Sequence, residues 1–148
     1  MPQVIEFAIN HWDLFLALVI ILFMMFGGGL SSRLRGFTQV EPLEAVQMLN
    51  HKDPVLLDVR EDNEYKEGHI IDAVHIPLGK LDGRMEELEK YREKPIIVSC
   101  RSGHRSSHAC ARLRKHGFET VYNLKGGVMA WQNAGLPLQK PTKGKKRK

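Results

Sequence analysis

The sequence predicts an α/β domain, a mainly parallel central sheet flanked by helices, preceded by one transmembrane helix. Three observations lead there. An uncharged, mostly apolar run of 19 residues extends from Leu14 to Ser32. After it, short apolar runs alternate with amphipathic stretches, the pattern of strands connected by helices. One of those strands ends in a loop rich in Gly, Ser and Arg, and loops at the carboxyl ends of parallel strands are where such folds bind ligands.

Residues 1–13 read as a short N-terminal tail. A helix over residues 14–32 would be roughly 28 Å long at 1.5 Å per residue, close to the ~30 Å of bilayer hydrocarbon. A cleaved signal peptide should begin with basic residues, whereas the tail holds Glu6 and Asp13 and no Lys or Arg. An uncleaved single-pass anchor is therefore expected. Arg33 and Arg35 follow the run and nothing basic precedes it, so the positive-inside rule puts the following domain in the cytoplasm. Gly27, Gly28 and Gly29 would permit close contact between such helices.

Residues 33–40 read as a linker, and a domain is expected over 41–139. Pro42 suits the first turn of a helix over 42–50, with Leu43, Val46 and Leu49 on one face. Val55 to Val59 has the continuous apolar character of a buried strand. Glu61 to Glu67 forms a short helix, and Val74 to Pro77 a short strand. Glu86 to Tyr91 lies in a charged helix bearing Leu81, Met85 and Leu88 at helical spacing. Pro95 to Ser99 is the central strand. Ser106 to His116 is a helix that Gly117 stops. Val121 to Leu124 is a fourth strand, and Gly126-Gly127 turns the chain into a last helix carrying Val128 and Trp131.

The net charge of +5 is concentrated at one end. Residues 140–148 read KPTKGKKRK and hold six basic side chains, which leaves the rest of the chain at −1. With nothing to bury, this run is expected to be a disordered tail. Anionic lipid headgroups are a candidate partner for it. No aromatic residue interleaves with the charges, so nucleic acid is not favoured as a partner. Two cysteines, Cys100 and Cys110, exclude a disulfide scaffold. With no Cys-x-x-Cys pair and scattered histidines, neither a zinc cluster nor another metal is expected, and no cofactor is required.

The chemistry concentrates in Cys100-Arg101-Ser102-Gly103-His104-Arg105-Ser106. A strand enters this segment and a helix leaves it, so its backbone N–H groups can converge on one point with the positive end of the helix behind them. Arg101 and Arg105 add cationic donors. Such surroundings favour a thiolate on Cys100, and Gly103 lets the loop turn closely. A thiolate there can attack the outer sulfur of a small anionic donor and hold it as a persulfide until a thiol acceptor, a protein among the candidates, removes it. Cys110, mid-helix between Ala109 and Ala111, reads as core.

The chain resembles the rhodanese family over roughly residues 38 to 138. The similarity lies in the loop from Cys100 to Ser106, in Asp58-Val59-Arg60, in Gly68-His69-Ile70-Ile71-Asp72-Ala73 followed by Ile76-Pro77, and in Leu124-Lys125-Gly126-Gly127 with Val128 and Trp131. Order and spacing together carry it. The resemblance implies a sulfurtransferase in which Cys100 is the sulfur-carrying nucleophile. It implies that Arg101, Ser102, Gly103, His104 and Arg105 bind the donor or persulfide, with Arg101 and Arg105 contacting the anionic donor or supporting the loop, and that Asp58 and Arg60 brace the site. His69 is expected to pack at a turn and Trp131 in the core. Related phosphatases have a cysteine-to-arginine loop one residue longer, and the shorter cradle here suits a sulfur atom. The alternative is a membrane-anchored interaction module that recruits partners at the cytoplasmic face, a role that would not need the intact loop.

Overall fold

A computed structural model describes residues 1–141, with residues 27–33 described by their backbone alone. It divides into two units, Met1–Arg35 and the domain from Gly36 onward. The first unit holds two helices, α1 (Pro2–Asn10) and α2 (Trp12–Arg35). The expected tail is thus mostly helical. Among the described residues no single helix is long and apolar enough to cross a membrane. Pro2–Asn10 and Trp12–Phe26 meet that standard only as a pair, bent by 78°. Side chains of the expected span beyond Phe26, including Gly27 to Gly29, and residues 142–148 of the basic tail lie outside the described residues.

The domain is a five-stranded sheet. Its strands are β1 (Thr38–Val40), β2 (Val55–Asp58), β3 (Val74–His75), β4 (Ile96–Ser99) and β5 (Val121–Leu124). The spatial order is β1-β5-β4-β2-β3, and every neighbouring pair is parallel. Its helices are α3 (Pro42–His51), α4 (Asp62–Glu67), α5 (His104–Lys115) and α6 (Gly127–Asn133).

Burial of both sheet faces explains the continuous apolar runs. Side chains alternate across a strand. Val55, Leu57, Ile96 and Val98 therefore join one core with Leu113 of α5, Leu81 and Leu88. Leu56 and Ile97 join the other with Ala45 of α3 and Trp131 of α6. β2 and β4 are buried at every position.

Three expectations need correction. The linker contributes a strand: Thr38, Gln39 and Val40 pair in register with Tyr122, Asn123 and Leu124, and Phe37 is in the core. Three residues with two exposed side chains carry no readable alternation. The charged helix is a 3-10 helix, Asp82–Tyr91. Its apolar residues Met85, Leu88 and Tyr91, and its ion pairs Arg84–Glu87 and Glu89–Arg92, all repeat every three residues, and side chains three apart eclipse in that geometry. The buried face of α3 is Pro42, Ala45 and Met48, whereas Leu43 of the expected apolar face is 63% exposed, and Glu41 closes a reciprocal capping box with Glu44 at the helix start.

From β2 the chain crosses to β3 on one side, while β4 and β5 lie on the other. The crossovers diverge between β2 and β4, which opens a crevice at their carboxyl ends. Asp58 and Cys100 stand there.

Candidate active site

Cys100 directly follows β4, and α5 begins four residues later. The loop between them turns on Gly103, whose φ of 95° lies in the left-handed region. That turn aims the Gly103 N–H at Cys100 Sγ, 3.0 Å away. Ser106 Oγ stands 3.4 Å from the same sulfur. Burial, the largest influence, pushes the Cys100 thiol up. The Ser106 hydroxyl and the N–H groups of Ser106, Ser102 and Gly103 together outweigh it and bring the thiol below its ordinary value. The shift runs in the direction expected from the sequence, and its largest favourable causes are hydrogen bonds, with the Arg105 guanidinium also attracted to the Cys100 sulfur.

The loop is held from behind. The carbonyl oxygens of Cys100 and Arg101 accept hydrogen bonds from the N–H groups of Val128 (2.8 Å) and Met129 (3.1 Å) in the first turn of α6. Two unpaired donors of a helix start thus engage two loop carbonyls. The approach is so close that a Cβ on Gly127 would sit 2.3 Å from the Cys100 carbonyl oxygen.

Asn123, buried in β5, ties the remaining parts together. Its Oδ1 accepts from Ser106 Oγ at 2.5 Å. Its Nδ2 donates to Gln39 Oε1 (3.0 Å), Ser107 Oγ (2.9 Å) and the Gly103 carbonyl (3.2 Å). Because the single Ser106 hydroxyl proton faces Asn123, a neutral thiol can donate to Ser106. A thiolate requires that hydroxyl to turn toward the sulfur.

Arg105 has a structural role. It makes two hydrogen bonds of 2.7 Å to the carboxylate of Glu64 on α4. Of the two roles expected of it, this pairing supports bracing of the loop. Arg101 is exposed at the rim. Ser102 is exposed as well and contributes its N–H. His104 opens α5 and sits edge-on to His108 with ring centres 5.0 Å apart, and no contact joins it to the sulfur among the described residues.

Asp58 and Arg60 form a buried pair. Arg60 Nη2 lies 2.7 Å from Asp58 Oδ2 and also donates to the Gly68 carbonyl at 2.8 Å. His69 stacks on Tyr65 with ring centres 3.9 Å apart and exchanges backbone hydrogen bonds with Gln139. Trp131 is in the core and donates its indole N–H to the Pro137 carbonyl. Cys110 is fully buried, and burial pushes its thiol strongly up.

A cleft of about 370 Å3 opens beside the loop, with Arg60, Glu64, Glu67, Arg101, Met129 and Gln132 among its walls. Cys100 is 1% exposed and is not itself a wall. Its sequence neighbour Arg101 and Val128, whose N–H donates to the Cys100 carbonyl oxygen, are walls.

Sequence reasoning missed Glu64, Glu67, Gln39 and Asn123 as site residues. Asn123 left a signal, since Asn is depleted in strands and one inside an otherwise apolar strand needs partners. Glu61 and Glu64 carried the spacing of a capping box, which the structure contains. Neither signal identifies Arg105 as the partner of Glu64.

Comparison with known proteins agrees with this geometry. A family model described as the rhodanese-like domain matches residues 41–134. The chain is 39% identical over 95 residues to a sulfurtransferase of Allochromatium vinosum, covering 64% of this chain and 87% of the relative. It is 36% identical over 96 residues to the thiosulfate sulfurtransferase GlpE of Coxiella burnetii, covering 65% of this chain and 88% of that protein. Among solved structures, a rhodanese-related protein from Thermoplasma volcanium matches with a TM-score of 0.64 at 28% identity, covering 71% of this chain and all of that one. The rhodanese-like domain of an Anabaena protein matches with a TM-score of 0.63 at 30% identity, covering 74% of this chain and 84% of that one.

Proposed function

The chain belongs to the rhodanese-like domain family, and from that premise we propose that it moves sulfane sulfur through a persulfide on Cys100. At the level of the family it is a rhodanese-type sulfurtransferase, acting between a sulfur donor and a thiol acceptor. The observation that carries the finer reading is the contact of the Gly103 N–H with Cys100 Sγ at 3.0 Å, inside a loop that lowers the thiol.

With thiosulfate as donor, the Cys100 thiolate attacks the outer sulfur. A new S–S bond forms, the old one breaks, and sulfite leaves with the electron pair. The persulfide anion inherits the N–H groups of Ser102, Gly103 and Ser106. A thiolate acceptor then takes the outer sulfur and returns Cys100 as a thiolate, so no oxidant or reductant is consumed. A persulfide donor reacts in the same way and releases its thiolate. Asp58 and Arg60 brace the crevice, and Arg105 with Glu64 fixes the start of α5.

Intact-mass spectrometry of the full chain after incubation with thiosulfate tests this, with Cys100→Ser alongside. The expected result is a reducible gain of one sulfur, about 32 Da, absent from the variant. A folded protein that gains no sulfur from thiosulfate, a persulfide or mercaptopyruvate overturns the reading.

We propose also that the domain works on the cytoplasmic face of a membrane. The uncharged run Leu14–Ser32 followed by Arg33 and Arg35 supports this, as do the exposed apolar side chains from Val4 to Phe26. The basic run 140–148 would add contact with anionic headgroups. Recovery of the chain in the soluble fraction of cells after lysis at moderate salt would count against it.

A further inference from the structure

Among the described residues, the cleft beside the active loop carries one charge of each sign without an ion-pair partner. Four charged side chains are among its walls, Arg60, Glu64, Glu67 and Arg101. Arg60 is committed to Asp58 and Glu64 to Arg105. Among the described residues, neither Arg101 nor Glu67 has an oppositely charged group within ion-pair distance, and both are exposed. Arg101 belongs to the active loop and Glu67 ends α4, on the element that Arg105 ties to that loop. The remaining walls include Met129, 48% exposed, and Gln132.

Such a cleft is close to neutral in sum but strongly patterned. A small dianion gains attraction from Arg101 and loses it to Glu67, so the cleft does little to concentrate it. A molecule with an ammonium and a carboxylate finds a partner for each. Met129 offers apolar contact to the carbon chain between those charges and the sulfur.

The geometry points to a donor that is the persulfide of a small thiol bearing both an ammonium and a carboxylate, with Arg101 holding the carboxylate and Glu67 the ammonium. This rests on the sulfur-carrier reading of Cys100 and makes Arg101 and Glu67 its specificity-determining pair. The step balances as written for R–S–SH. The Cys100 thiolate attacks the outer sulfur, Cys100–S–SH forms, and R–S⁻ leaves with the electron pair and takes up a proton from water.

Three matched donors test it on the full chain: cysteine hydropersulfide, 3-mercaptopropionate hydropersulfide, which lacks the ammonium, and cysteamine hydropersulfide, which lacks the carboxylate. The readout is the second-order rate constant for sulfur loading on Cys100, by rapid quench and intact mass. Comparing ratios between wild type and variants cancels the intrinsic reactivity of each donor. In Glu67→Gln the cysteine-to-mercaptopropionate ratio should fall about tenfold, the size of one charge-assisted hydrogen bond. In Arg101→Gln the cysteine-to-cysteamine ratio should fall similarly, while Glu67→Lys should invert the first preference. Ratios that stay the same in these variants overturn the inference while leaving Cys100 as a sulfur carrier. Loading from none of these donors, nor from thiosulfate, overturns both.

Discussion

Arg105 is fastened to Glu64 by two hydrogen bonds of 2.7 Å, so the first turn of α5 is tied to α4 across the rim of the active loop. The Arg105 guanidinium is the main reason that the Glu64 carboxyl is held down at about 2, with burial opposing it. A depressed carboxylate contributes stability that is present above its unfolded value, near 4.5, and lost as pH falls toward 2. Glu64→Gln should therefore cost about 1–2 kcal/mol at neutral pH. The gap between wild type and variant should close as pH falls from 4.5 to 2. Urea denaturation of both proteins at several pH values checks this, and a gap independent of pH would count against the pair.

Ser106 should tune the nucleophile. Ser106→Ala removes the hydroxyl that helps hold the Cys100 thiol down, and the backbone donors remain. The pH profile of iodoacetamide alkylation should move to higher pH, and alkylation at pH 7 should slow about threefold, a fraction of a full charged hydrogen bond. Asn123→Ala frees the Ser106 hydroxyl to turn toward the sulfur, so its effect should be on stability, because Asn123 also holds Gln39, Ser107 and the Gly103 carbonyl.

Two glycines with similar backbones should respond differently. Gly127 and Gly135 both have positive φ, 60° and 76°, so both resist a side chain by about 1–2 kcal/mol. At Gly135 an added Cβ meets open space, but at Gly127 it meets the Cys100 carbonyl at 2.3 Å. Gly135→Ala should load sulfur normally. Gly127→Ala should lose a further ~2 kcal/mol or more from overpacking and load sulfur poorly, as thermal melts and intact mass will show.

Removing Arg60 should be costly. Asp58 is fully buried, and Arg60 is its charged partner. Arg60→Ala leaves that carboxylate uncompensated, a loss of about 3–5 kcal/mol. Denaturation midpoints would report it, and a loss below 1 kcal/mol would mean that Asp58 finds another partner or takes up a proton.

Cys110 should be dispensable for sulfur transfer. Its thiol is buried and pushed strongly up, and it lies 3.6 Å from the Tyr122 carbonyl oxygen. Cys110→Ala should cost about 1 kcal/mol in packing and still gain one sulfur at Cys100.

Much of this was legible in the chain itself. Val55–Asp58, Ile96–Ser99 and Val121–Leu124 emerge where apolar runs required buried strands, and Cys100 stands at the strand end where the sequence put it. Those features are local: alternation, turn residues and a loop of fixed length follow from neighbours in sequence. Asp58 and Arg60, which the resemblance implied as braces of the site, find each other within two residues of sequence.

Tertiary structure alone decided the rest. β1 is a strand because β5 offers it a ladder, which three residues cannot announce by themselves. Arg105 and Glu64 are 41 residues apart, Asn123 and Gln39 are 84 apart, and only the folded sheet brings each pair within hydrogen-bond reach. The sequence by itself determined that Cys100 would sit in a donor-rich turn. Packing determined that Arg105 is committed to Glu64, because a charge is paired according to what the fold sets beside it.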